Sequence, residues 1–393
     1  MTGDARQGAA RPRVQVHLDH GRGLEAWTRR FERGEVWEAS PYGYGRAADA
    51  VDLAFSEDHP ETRVGRFLRR GTAHLLGFDI VHAWRNRRQL AEADVVWTHT
   101  EHEHLAVRAV ERLRGTDPRP LVAQSVWLWD RWDAYSPLRR SLYRRLLSGD
   151  TLHTTLSREN ADIARAAIPG AQVALVPFGA EDIAADVTDD IAAGVAADRA
   201  AGSSPETAPD GSSIAMVAPG NDRDRDWSTL LAAVAEDPSI SATILTRRLA
   251  ASSTPRLTIR RSRSIAETLD AYRRASVIVV PVRPNHHASG ITVGLEAMSL
   301  RRPLVIADVG GVRDYFDGYA EFYDAGDAAS LRRAIHRAAG RDLSDAPSKA
   351  SRGLTAADYV ARHLLATDLL RGGSASVEQL ESFSPLVEHR GVE

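Results

Sequence analysis

One stretch of this 393-residue chain constrains its fold more than any other: Val277-Ile-Val-Val-Pro-Val282, Asn285-His-His-Ala-Ser-Gly-Ile-Thr-Val-Gly-Leu-Glu-Ala-Met298 and Arg302-Pro-Leu-Val-Ile306. Continuous Val/Ile runs without alternation suit strands of a parallel sheet covered on both faces. Between them, Ser289-Gly290 forms a small-residue turn, and a short helix starts at about Thr292. Glycine lets the backbone approach a ligand closely. The opening amides of the helix, at Ile291 and Thr292, offer unpaired N–H groups and a positive dipole end to an anion. Glu296, one turn into that helix, can accept two hydrogen bonds from a vicinal diol. Phosphate plus diol is the chemistry of a nucleotide sugar.

The segment resembles the donor-site signature of retaining, nucleotide-sugar-dependent glycosyltransferases of the GT-B fold (family 4-like, glycosyl transferases group 1). Glu296-Ala-Met and Arg302-Pro-Leu-Val match that signature. The first acid of its Glu–x7–Glu pair does not, since Ala288 stands there. The resemblance therefore assigns the sugar hydroxyls to Ser289 or His287 instead. The bland alternative is an ordinary βαβ crossover with a core-facing glutamate.

Composition is that of a globular protein, with 43% hydrophobic and 26% charged residues. A net charge of −3 gives no sign of bulk nucleic-acid binding. Cysteine is absent, which excludes disulfides and thiolate chemistry. No apolar run is long enough to span a bilayer and no signal-peptide core opens the chain, so a cytoplasmic location is the default expectation.

Residues 1–12 read as a disordered tail and 13–181 as an N-terminal Rossmann-like acceptor domain. Val14-Gln-Val-His-Leu18 is its first strand, ending in Asp19-His-Gly-Arg-Gly23. A glycine-rich turn lies over donor and acceptor in the GT-B enzymes, so Gly21, Arg22 and Gly23 are acceptor-side candidates by resemblance. Asp94 to Trp97 is a strand whose polar end, Thr98-His99-Thr100-Glu-His-Glu-His104, offers His99 to the cleft. A metal reading of that cluster gives way to Thr100 capping the next helix. After the strand Leu121–Val126, the resemblance expects a histidine where Trp127 stands, with Asp130 and Asp133 as polar substitutes. Three tryptophans closing a lid over the core would explain the same residues. Pro137 to Leu147 is a basic amphipathic helix, suited either to one buried face or to an anionic membrane.

Residues 182–212 have linker composition, 213–345 form the nucleotide-sugar domain, and 346–393 supply helices that cross back to the first domain. In Pro219-Gly-Asn-Asp-Arg-Asp-Arg-Asp-Trp227, Arg225 falls where the resembled family has a diphosphate-binding Lys. Gly220 occupies the position of its Arg, leaving Arg223 as the substitute. Guanidinium groups bind diphosphate bidentately and stabilise a leaving group's charge. The alternative is a solvated Asp/Arg loop pairing with itself.

Two doubly wound α/β domains facing a cleft are thus expected. The resemblance implies hexosyl transfer from a nucleoside-diphosphate sugar to a carbohydrate, lipid-linked or small-molecule acceptor. It places the enzyme in cell-envelope or exopolysaccharide synthesis. Arg223, Arg225 and Asp130 are the catalytic candidates. No cofactor and no metal is expected, since the donor site shows no well-placed acids. A nucleotide-sugar epimerase or hydrolase and a catalytically silent GT-B scaffold are the rivals.

Overall fold

The computed structural model describes residues 11–183 and 214–387. All but the last two residues of the expected tail, and all but the first two of the expected linker, lie outside them. In the first half, strands β1 (Arg13–His17), β2 (Asp52–Phe55), β3 (Val95–Thr98), β4 (Leu121–Gln124), β5 (Thr151–Thr155) and β6 (Gln172–Leu175) pair in parallel in the order β2-β1-β3-β4-β5-β6. Helices α1 (Leu24–Glu32), α2 (Arg63–Leu76), α3 (Ile80–Arg85), α4 (Arg87–Glu92), α5 (Glu101–Arg114), α6 (Pro137–Leu147) and α7 (Arg158–Ala167) connect them, with a 3-10 segment at Pro41–Asp49. That segment, α3 and α4 are absent from the sequence reading. They are too short to show a helical period, and the 3-10 turn breaks at Tyr42 and Gly43, where φ turns positive.

The second half carries β7 (Ile214–Pro219), β8 (Ile240–Leu245), β9 (Ser252–Ser253), β10 (Leu257–Arg260), β11 (Val277–Val280), β12 (Leu304–Ala307) and β13 (Glu321–Tyr323). They run in the order β13-β12-β11-β7-β8-β10-β9, parallel except for the short β9. Its helices are α8 (Trp227–Glu236), α9 (Ile265–Arg274), α10 (Ile291–Ser299), α11 (Val312–Phe316) and α12 (Ala328–Ala339). Val277, Ile278, Val279 and Val280 are all fully buried. Complete burial of such a side chain contributes about 1.5–3 kcal/mol, and burial on both faces is why this strand shows no alternation.

Strand order reverses between β1 and β3 in one sheet and between β7 and β11 in the other. Loops leaving the carboxyl ends of strands at such switch points form the ligand crevice of an open α/β sheet. Here the two sets of loops face one another. The Gly34 carbonyl accepts the Ile265 amide at 2.9 Å, Tyr315 donates to the Leu156 carbonyl at 2.9 Å, and Arg158 pairs with Asp314 at 3.2 Å.

Helices α13 (Ala356–Leu370) and α14 (Val377–Glu381) return to the first sheet. Trp97 donates its indole N–H to Thr367 at 2.9 Å, and Tyr359 donates to Gln124 at 2.7 Å. Where the chain passes between the halves, Ala180 bridges Thr355, and the buried Lys349 ammonium bonds the Glu181 carbonyl at 2.8 Å and the Asp182 carboxylate at 2.8 Å.

Candidate functional site

The loop after β7 is stitched to the end of β11. Arg225 forms an antiparallel bridge with Val282, the Arg283 amide donates to Asp224 at 2.8 Å, and the Asp226 amide donates to Pro281 at 3.0 Å. Asp226 then caps α8 through the Thr229 amide at 3.2 Å. This fastening turns the Arg225 side chain inward, where it is 4% exposed. A Cβ on Gly220 would collide with its Nε, and one on Gly290 would lie 2.9 Å from its Nη1. Gly220 is therefore glycine because Arg225 fills the space above it. Nε and Nη1 are buried with no hydrogen-bond partner, and burial lowers the pKa of this group. A buried unpaired guanidinium is costly in a protein and calls for an anion.

The anion's other side would be α10. Asn285 accepts the His287 amide at 3.1 Å and the Ser289 amide at 3.4 Å, winding the preceding turn. Ala288 in that turn has φ 52° and Gly290 has φ 91°. Any side chain at Gly290 would also strike Val280. The helix thus begins hard against Arg225; the Ile291 amide turns back on the Ala288 carbonyl at 3.4 Å, and the Thr292 amide has no intrahelical partner. Ser289 donates to Asp222 at 2.8 Å.

Glu296 is half-buried at the boundary between the lobes. Its Oε1 accepts Trp37 Nε1 from the first lobe at 3.1 Å, and its Oε2 accepts the Tyr272 hydroxyl at 2.6 Å. Burial pushes its carboxyl pKa up against those two bonds. Both oxygens expected to face a diol are engaged by protein in this structure. Trp37 stands in no motif that the sequence offers.

His287 joins the two lobes. Its Nδ1 lies 2.5 Å from Asp130 Oδ2, and its ring meets Trp127 edge to face with centroids 6.3 Å apart. Its Nε2 is 3.7 Å from Asp224 and 4.0 Å from Asp222. Burial opposes a charge there, but the carboxylates of Asp130 and Asp222 push the imidazole pKa up to about 9. Asp222 is held below the usual carboxylate range; burial opposes this, and His287, the Asp224 amide and Ser289 outweigh it. Asp222, Asp224 and His287 offer ligating atoms within 4.8 Å of one another. The expectation of no well-placed acids at the donor site is corrected: two are present. They meet a protonated imidazole, which already supplies the positive charge they face.

Arg223, unlike the buried Arg225, is exposed and pairs with Asp224 at 3.6 Å. One further expectation is corrected. His99 is sealed rather than open to the cleft: Tyr42 stacks on it at 3.4 Å, Tyr44 bonds Nδ1 at 3.2 Å, and burial drives its pKa well down. The glycine turn stands at the cleft, where the Gly21 amide donates to Asp58 at 2.8 Å and Arg22 donates to Tyr42 at 2.8 Å. Gly23 has no room for a Cβ beside the Ser56 carbonyl. At the start of α5 it is Glu103 that caps, its Oε2 accepting the Thr100 amide at 2.9 Å, while the hydroxyl of Thr100, the expected cap, is buried without a partner.

No family model matches the chain, and no curated protein matches it by sequence. Solved structures match over nearly its whole length. Sucrose-phosphate synthase from Thermosynechococcus elongatus superposes with a TM-score of 0.58 at 14% identity, covering 94% of this chain and 96% of that one. Anabaena HepE, solved with UDP-glucose, gives 0.52 at 11% identity over 94% and 97%. A UDP-forming trehalose-phosphate synthase from Burkholderia xenovorans gives 0.52 at 13% over 94% and 97%. The shared architecture is the GT-B fold of these glycosyltransferases.

Proposed function

We propose that this protein is a glycosyltransferase that moves a hexosyl group, with retention, from a nucleoside-diphosphate sugar to an acceptor hydroxyl. The observation that carries the reading is Arg225: a buried guanidinium with two unpartnered N–H positions, set against the start of α10. Positive charge from a guanidinium and a helix terminus is what a diphosphate leaving group requires as its bond to the sugar breaks. His287, beside Ser289, ties this loop to Asp130 of the acceptor lobe. In this scheme the departing phosphate takes the acceptor proton on the same face, so no protein base, resident cofactor or metal is needed. The likeness to HepE, solved with UDP-glucose, supports a nucleotide-sugar donor.

The acceptor side in this scheme is the glycine turn with Arg22, together with Trp127 and Asp130. Among the described residues, no helix is long and apolar enough to cross a membrane. Phe67, Leu75 and Leu138 are 76%, 73% and 85% exposed on α2 and α6. Arginines intersperse both helices. That combination suits shallow contact with an anionic bilayer and a lipid-linked acceptor of the kind used in envelope polysaccharide synthesis.

One observation favours a binding scaffold instead, namely the engagement of both Glu296 oxygens. Incubating the protein with a panel of nucleotide sugars, without acceptor, separates the readings. Slow release of nucleoside diphosphate from one donor supports transfer chemistry, and conversion of the donor sugar to an epimer assigns the rival enzyme class. Absence of nucleotide binding in a thermal-shift screen of UDP, GDP and ADP overturns both enzyme readings and is the outcome the scaffold predicts.

A further inference from the structure

A second polar cluster lies in the N-terminal half, with no member in the donor loops. His20 stands in the glycine turn after β1, Asp58 follows β2, and His82 is in α3. One ligating atom from each comes within 4.8 Å of the others. His20 Nδ1 is 3.1 Å from Asp58 Oδ1, and His20 Nε2 is 3.8 Å from Glu61 Oε2.

His82 supplies the independent observation. Its Nε2 donates to the Leu18 carbonyl at 3.0 Å. A carbonyl only accepts, so the proton is on Nε2 and Nδ1 carries the lone pair. That Nδ1 is buried without a partner, in a residue 1% exposed. A carbonyl bonded to one ring nitrogen, with the other left bare, is how proteins orient a histidine for a metal. Glu61 repeats the pattern. Its Oε1 is held by Arg69 at 2.8 Å and Arg85 at 2.5 Å, while Oε2 is buried and unbonded. Arg69 also grips Asp79 at 2.6 Å, and Asp79 accepts the His82 amide at 3.0 Å. Glu61 and Asp79 are thus matched by two guanidiniums, while Asp58 faces His20 and the Gly21 amide.

We infer that His20, Asp58 and His82 bind a divalent transition-metal ion of the zinc class. Two imidazoles with one carboxylate, leaving the fourth position to water, suit an ion of this kind, whereas magnesium and calcium take oxygen ligands. The ion would join the turn after β1 to the end of β2 and to α3. It would act as a clamp on Gly21–Gly23 rather than as a participant in donor chemistry.

The test uses the full chain, stripped with chelator and titrated with Co2+ by visible absorption, then with Zn2+ in competition. The expected result is one Co2+ per chain with the intense bands of four-coordinate cobalt, displaced by Zn2+. His20→Ala and Asp58→Asn should each weaken binding at least tenfold, while Asp222→Asn leaves it unchanged. Because His20 is partly exposed, its variant should melt like the metal-free wild type, separating lost ligation from lost folding. Absence of the bands in the wild type, an unaltered titration in both variants, or loss of binding in Asp222→Asn would each overturn the assignment.

Discussion

Trp37 in one lobe donates its indole N–H to Glu296 in the other, 3.1 Å away, across the groove between the lobes. The bond occupies an oxygen that the nucleotide reading assigns to a diol, so protein and ligand compete for it. Removing the competitor should help the ligand. Trp37→Phe is expected to bind nucleoside diphosphate roughly two- to tenfold more tightly, the range of one hydrogen bond of about 0.5–1.5 kcal/mol. Calorimetric titration measures it; weaker binding would mean that Trp37 holds the site together instead.

Arg225 offers a sharper contrast between binding and stability. Met at this position keeps the stem's packing and removes a buried, unpaired charge. The Arg225→Met protein should melt no lower than the wild type without ligand, since discarding such a charge is neutral or stabilising. Its affinity for nucleoside diphosphate should fall at least tenfold, beyond about 1.4 kcal/mol. Paired thermal-shift curves with and without nucleotide read both quantities.

Gly290 has φ 91°, and a Cβ there would crowd both Val280 and Arg225 Nη1. Gly290→Ala should destabilise the fold by about 2–4 kcal/mol, combining left-handed strain with overpacking. Urea titration gives the stability change, and a loss below 1 kcal/mol would show the turn to be pliable.

The His287 imidazole, faced by Asp130, Asp222 and Asp224, titrates at about 9 in the folded protein against an ordinary 6.5. A raised pKa stabilises fully below pH 6.5, and the contribution disappears as pH climbs through 9. Linkage converts that shift to about 3 kcal/mol. Denaturant midpoints should therefore fall between pH 6.5 and 9 in the wild type and flatten over that window in His287→Gln. Glu38, pushed up to about 7 mainly by burial, loses its contribution earlier, between pH 4.5 and 7. The two effects are separable.

Residues near one another in sequence were legible, and partners brought together by folding were not. The strand–turn–helix at Val277–Met298 could be read because its buried runs and small turn residues are contiguous. Arg225 could be read from its spacing to α8. Arg223, two residues earlier, could not be told apart from it, because burial depends on the bridge to Val282 rather than on residue type. His99 resembled a cleft residue, but it lies beneath Tyr42, which only the break in the 3-10 segment places there. The His287–Asp130 and Trp37–Glu296 pairs join distant segments, and no local pattern announces such contacts. Asp222 and Asp224 were visible as charges, yet only the turn at Asn285–Gly290 gives them a histidine to face.

Lys349 and Gly179 together decide how the molecule can flex. The ammonium of one gathers the carbonyls of Ala180 and Glu181 and the carboxylate of Asp182, while a Cβ on the other would strike the Thr355 backbone. Two passes of chain, outgoing and returning, are therefore pinned side by side at the pivot. A doubled pivot yields to swinging about the line joining its pins and resists sliding or twisting. Any gape of this jaw follows a single arc, along which His287 parts from Asp130.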